Sequence, residues 1–125
     1  KVAVIAQTTC IGADFERVVG ALAVRHKEVR AVNTICNDTE ERQADARALA
    51  REVDAVVVVG GRNSANTRHL AEICREIQAR TWHVETEAEL QAEWFAGCRT
   101  VGISAGASTP DWIVEGVAAW VRQHR

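Results

Sequence analysis

Three short polar stretches each follow an apolar run and precede an amphipathic one: Gln7-Thr8-Thr9, the longer Gly60-Gly61-Arg62-Asn63-Ser64-Ala65-Asn66-Thr67, and Ala105-Gly106-Ala107-Ser108-Thr109. Hydroxyl and amide side chains at a helix mouth, beside glycines that admit close backbone approach, are the chemistry of an anion site. Thr8, Ser64, Asn66, Ser108 and Thr109, together with the free N–H groups of first helical turns, would suit a phosphate or diphosphate without any lysine. Taken singly, each stretch also reads as an ordinary helix cap, since Ser, Thr and Asn are favoured there in any protein. Three on one sheet edge, two with glycine, point to a shared ligand.

Cys36 is the other residue with chemistry to offer. It lies in a predicted loop on the same edge, just ahead of a helix, where the thiolate that binds iron or zinc is favoured. The plainer reading is a small buried hydrophobe. Cys74 falls on an apolar helix face and reads as core. Cys10 lies within reach of the site edge, and Cys98 falls in the turn before the last strand; neither is assigned a role. The four cysteines form no CxxC pair, so neither a disulfide framework nor a self-contained zinc site is expected. His69 lies a turn beyond Asn66 and reads as a partly exposed helix residue, whereas His26, His83 and His124 look peripheral. Most carboxylates occupy capping positions or solvated faces, and no acid–base pair stands out.

The elements that must position these residues alternate along the chain. Residues 1–6 read as a buried strand, after which Asp14 caps a helix carrying Phe15, Val18, Val19 and Leu22. Val29 to Val32 is a short strand candidate. Asp38 with Glu41 forms an acidic capping box for a helix to about Val53. Ala55 to Val59 is the strongest strand, and a helix from Asn66 or Thr67 follows with Leu70, Ile73, Cys74 and Ile77 inward. Thr81 to Val84 is a further strand, and Thr86 with Glu89 makes a second capping box before Leu90, Trp94 and Phe95. Thr100 to Ser104 is the last strand. The last helix takes Thr109 as cap, Pro110 at its first position and Asp111 behind it, with Ile113, Val114, Val117 and Val121 on its apolar face. This order predicts an α/β fold with a parallel sheet covered by helices on both faces. Right-handed crossovers place every strand's C-terminal loop on one edge, where ligands of such folds bind.

The bulk properties exclude several classes. The 125 residues suit one compact domain or part of a larger fold. A formal charge of −2 offers no basic face for nucleic acid or an acidic membrane. No apolar run is long enough to span a bilayer and no signal peptide opens the chain, which favours a cytoplasmic setting. The chain has no methionine, so a piece of a longer polypeptide is expected. The four tryptophans read as core or subunit contacts.

Taken together and in order, Gln7-Thr8-Thr9, then Thr34-Ile35-Cys36 with Thr39 and Arg42-Gln43, then Val58 to Thr67, then Ala105 to Asp111, with Glu93-Trp94 between the last two, carry a family likeness. They resemble the C-terminal half of the 4-hydroxy-3-methylbut-2-enyl diphosphate reductase family, and the likeness covers essentially the whole chain. The resemblance implies a 4Fe-4S cluster held by three cysteines at the centre of three α/β units in pseudo-threefold arrangement. It implies two-electron reductive dehydroxylation of the substrate to isopentenyl and dimethylallyl diphosphates, with a ferredoxin- or flavodoxin-type electron donor. Cys36 matches one cluster ligand. Thr8 matches a catalytic, substrate-holding position, and Ser64, Asn66 and Ser108 match positions at the diphosphate. Ala65 stands where serine is frequent, leaving its N–H for binding, and Asp38 stands where alanine is usual. On this likeness residues 1–33 close the middle unit and 34–125 form the last one. The other two cysteines, the pocket histidines and the proton-relaying glutamate belong to the family's N-terminal half, so this stretch alone is expected to be inactive. The competing readings are a non-catalytic α/β module that binds a phosphorylated metabolite, with Cys36 merely structural, and a subunit whose missing ligands come from another chain.

Overall fold

Side chains alternate across a strand, so the valine run must bury both faces if it is a central strand. The computed structural model describes residues 1–124, apart from the side chain of Asn37. In it Ala55–Val59 is β3 in the order of strands, fully buried along its length. Val57 and Val59 face a cluster that includes Val84, Leu90, Phe95, Val117 and Val121. Val56 and Val58 face Ala46, Ala50, Leu70, Ala71 and Cys74. Burying each such valine contributes about 1.5–3 kcal/mol.

The elements run β1 (Val2–Ile5), α1 (Gly12–Arg25), β2 (Val29–Val32), α2 (Asn37–Glu52), β3, α3 (Ala65–Ile77), β4 (Thr81–Val84), two short 3-10 turns (Glu87–Glu89 and Ala92–Phe95), β5 (Val101–Ala105) and α4 (Asp111–His124). All pairings are parallel, as expected. The strands, however, form two sets: β1 pairs with β2, and β4-β3-β5 form a separate three-stranded sheet. Two compact units follow, Lys1–Arg42 and Gln43–Arg125.

In the second unit, α3 and the C-terminal part of α2 cover one face of the sheet, and α4 with the 3-10 turns covers the other. Leu49 of α2 lies over Gly102 of β5, where an added Cβ would sit 2.8 Å from its Cγ. Trp82 and Trp94 stack with centroids 4.9 Å apart, and Phe95 meets Trp82, Trp94 and Trp120 edge-on. Those tryptophans are packing residues as expected, whereas Trp112 is exposed.

Several boundaries differ from the sequence reading. Asp14 and Asp38 are not caps: α1 starts at Gly12 and α2 at Asn37, which places both carboxylates inside first turns. There Asp14 pairs with Arg17 at 2.9 Å. Thr86 and Glu89 do form their capping box, but it opens a single 3-10 turn instead of an α-helix. Strand β5 is displaced by one residue, and Ile77 at the end of α3 is exposed where an inward position was expected.

Candidate functional site

In the second unit the β3–α3 and β5–α4 corners meet. Gly106 N–H donates to the Val59 carbonyl at 3.0 Å, and the Thr109 hydroxyl donates to the same oxygen at 3.1 Å. α4 begins at Asp111, so Thr109 is not the side-chain cap expected of it; its hydroxyl ties one corner to the other. Thr67, fully buried, wedges between the two glycine turns. A Cβ on Gly60 would lie 2.5 Å from its Oγ1, and one on Gly106 would lie 2.3 Å from it. Glycine is required at Gly60 also by its φ of 155°. The glycines thus let two corners close over one threonine.

α3 starts at Ala65, one or two residues ahead of the expected start, with Ser64 as its N-cap. Its hydroxyl accepts from Thr67 N–H at 3.3 Å and keeps its own proton to donate. The N–H groups of Ala65 and Asn66, in the first turn, have no intrahelical acceptor. Asn66 is 7% exposed, and among the described residues its Oδ1 has no hydrogen-bond partner. Ser108 sits exposed in the turn closed by Thr109 N–H to Gly106 carbonyl, 3.0 Å.

Electrostatics single out α3. The first turns of α1, α2 and α4 each carry an acidic residue, Asp14, Asp38 with Glu40, and Asp111, whereas the first turn of α3 carries none. An acid there neutralises the positive end of the helix dipole, so that end of α3 is left without a counter-charge from its own first turn. Arg62, the one basic residue in the Gly60–Thr67 stretch, is engaged elsewhere: Nε lies 3.4 Å from Glu85, and the guanidinium also bonds Glu89. Burial opposes ionisation of Glu89, but the N–H groups of Glu85 and Thr86 and the Arg62 guanidinium hold its carboxyl below the ordinary value.

The first unit brings Thr8 and Cys36 together. Cys36 N–H donates to the Thr8 carbonyl at 3.0 Å, and the Cys36 carbonyl accepts the first helical bond of α2, from Glu40 at 3.1 Å. Thr34 Oγ1 accepts from Ala6 N–H at 2.9 Å and donates to the Ala6 carbonyl, locking the ends of β1 and β2. The Asn33 side chain accepts from Ile35 N–H at 3.0 Å. Thr8 is exposed in the Gln7–Cys10 turn, and Cys36 is an exposed free thiol, not a buried hydrophobe. Cys74 is the core cysteine it was expected to be, and burial pushes its thiol pKa up. Cys10 donates to the Ile11 carbonyl at 3.4 Å.

A family model described as LytB protein matches residues 1–122. The chain belongs to that family. It is 88% identical over 122 residues to a 4-hydroxy-3-methylbut-2-enyl diphosphate reductase of Anaeromyxobacter sp. (strain Fw109-5), covering 98% of this chain and 43% of that protein. A solved structure of (E)-4-hydroxy-3-methyl-but-2-enyl diphosphate reductase, the terminal enzyme of the non-mevalonate pathway, is 50% identical with a TM-score of 0.70, over 97% of this chain and 43% of that one. The E-1-hydroxy-2-methyl-but-2-enyl-4-diphosphate reductase of Plasmodium falciparum shares the fold, with a TM-score of 0.85 at 21% identity over 95% of this chain and 38% of that one. The chain thus spans less than half the length of the relatives it matches.

An iron–sulfur cluster of the kind the resemblance implies would need more than this chain's donors. Such clusters are held by several cysteine thiolates. Among the described residues no group of three or more His, Cys, Asp or Glu side chains gathers for a metal, and Cys36 offers a single sulfur. His83, expected at the periphery, reaches the Gly60 turn. Its Nε2 lies 2.8 Å from the Gly60 carbonyl, a contact between neighbouring strands that no local pattern announces.

Proposed function

We propose that this chain is the part of a 4-hydroxy-3-methylbut-2-enyl diphosphate reductase that binds the substrate's diphosphate and supplies one cysteine to a 4Fe-4S cluster. The observation that carries the reading is the closed pair of corners over Thr67, with the positive end of α3 left without an acid, in a member of the LytB family. Ser64, Asn66 and Ser108 donate to the diphosphate through their side chains, and Ala65 through its N–H. Thr8, whose carbonyl is bonded to the Cys36 N–H, holds the hydroxyl end of the substrate and takes part in its protonation. The cluster, when bound, supplies the two electrons of a reductive dehydroxylation. This chain's residues bind and orient; Cys36 is its only proposed metal ligand, and two further cysteines come from elsewhere in the protein. A ferredoxin- or flavodoxin-type protein delivers the electrons. A cytoplasmic setting, which keeps thiols reduced, suits the free Cys36.

The complete protein, purified without oxygen, is expected to be brown, and its Cys36→Ser variant to lose that colour and the iron. A colourless protein after reconstitution with iron and sulfide would refute the cluster assignment. Asn66→Ala is expected to weaken pyrophosphate or substrate binding by about 1–3 kcal/mol, through lost hydrogen bonds. Unchanged affinity by calorimetry removes Asn66 from the site.

A further inference from the structure

The turn from Gly60 to Ser64 is held by β4 and the segment leaving it. Gly60 N–H donates to the Val84 carbonyl at 3.0 Å, continuing the β3–β4 ladder by one bond. Arg62 is paired with Glu85 and Glu89, and Glu89 in turn accepts from the N–H of Thr86 at 3.2 Å. The third tie is His83, in register with Val58, whose Nε2 lies 2.8 Å from the Gly60 carbonyl. A carbonyl only accepts, so the proton of that bond is on Nε2, as it is in the Nε2–H tautomer and in the imidazolium alike.

Glycine is the residue least able to fix its own peptide planes, and Gly60 stands at φ 155° with Gly61 behind it. The orientation of the Gly60 carbonyl therefore depends on an external donor. We propose that His83 is a positioning residue of the diphosphate site: its Nε2–H fixes the Gly60 peptide and through it the turn that delivers Ser64 and the first N–H groups of α3. The inference rests on the reading of that turn as a diphosphate site.

The test compares His83→Leu, which keeps bulk without a donor, with His83→Gln, which keeps an N–H of similar reach, in the complete protein under steady-state turnover. A turn that binds ground and transition states alike affects KM more than kcat. His83→Leu is expected to raise KM for the diphosphate substrate about 3- to 10-fold, the value of one lost hydrogen bond, with kcat changed less than about twofold. His83→Gln is expected to restore KM to within about twofold of the parent protein. If the leucine variant does not fold, His83→Met carries the same arm. An unchanged KM in the leucine variant, beside a raised KM in Asn66→Ala, overturns the role of His83 and leaves the diphosphate reading standing. If neither variant moves KM, the site reading fails and the role of His83 fails with it. A fall in kcat that glutamine does not rescue marks general destabilisation and also overturns the proposal.

Discussion

Replacing Gly106 by alanine tests how the two corners are joined. The new Cβ would stand 2.3 Å from Thr67 Oγ1 and 3.5 Å from Thr67 Cβ, so the collision is with the hydroxyl alone. Overpacking of this kind costs about 1–3 kcal/mol. Thr67→Ala removes the colliding atom, and because that hydroxyl has no hydrogen-bond partner among the described residues, its loss adds little beyond a lost methyl, about 1 kcal/mol. In the Gly106→Ala, Thr67→Ala double variant the alanine Cβ atoms meet at an ordinary distance. The pair is expected to be less destabilised than the sum of the single variants by about 1 kcal/mol or more. Thr67→Ser, which keeps Oγ1, should give no such relief. Gly60→Ala provides the contrast, since its φ of 155° is costly for alanine whatever stands at position 67, so Thr67→Ala can rescue it only in part. Urea unfolding followed by tryptophan fluorescence reads these differences, because all four tryptophans lie in the Gln43–Arg125 unit. Strict additivity of Gly106→Ala and Thr67→Ala would refute the wedge.

Stability should also fall at acid pH in a defined direction. The Asp54 carboxyl accepts from the N–H groups of Thr100 and Arg99, at 3.0 and 2.9 Å, which lowers its pKa, and that of Glu89 is lowered too. Groups depressed in the fold give their stability in full above the unfolded values of about 4 and lose it as pH falls through the folded ones. Asp54→Asn should therefore flatten the decline in Tm between neutral pH and about pH 3; an unchanged slope would argue against it. Ser64→Ala removes the α3 cap and should cost about 1 kcal/mol in unfolding free energy, with a larger loss of diphosphate affinity if the hydroxyl also donates to ligand. Loss of stability without loss of affinity would confine Ser64 to capping.

Much of this architecture is readable locally and part of it is not. Ala55 to Val59 is bounded by Asp54 and Gly60 and apolar throughout, so its limits follow from composition alone. The start of α3 was misplaced because Ser64, Asn66 and Thr67 are all competent caps; the choice fell to Ser64, whose extended backbone leaves Thr67 to be buried between glycines. Thr109 misled for a similar reason. Its type suits a cap, but α4 begins only at Asp111, and its hydroxyl instead donates to a β3 carbonyl 50 residues away in sequence, a contact set by the pairing of β3 with β5. The division of the strands into two pairings is likewise non-local. For the site, residue types marked the corners, whereas the bonds from β4 to the glycine turn belong to tertiary structure.

The charge arrangement argues for recognition by backbone rather than by ion pairs. A lysine or mobile arginine beside an anion attracts it from any direction. The Gly60–Thr67 stretch instead commits Arg62 to two carboxylates and leaves α3 without an acid in its first turn. What remains for a ligand is a set of neutral donors whose directions are set by the helix and by the bonded glycine turn. Such donors reward correct geometry far more than net charge. On the proposed reading, that division suits a site that holds one end of a diphosphate fixed while the other end reacts, and it would make the turn's rigidity, more than its composition, the property on which binding depends.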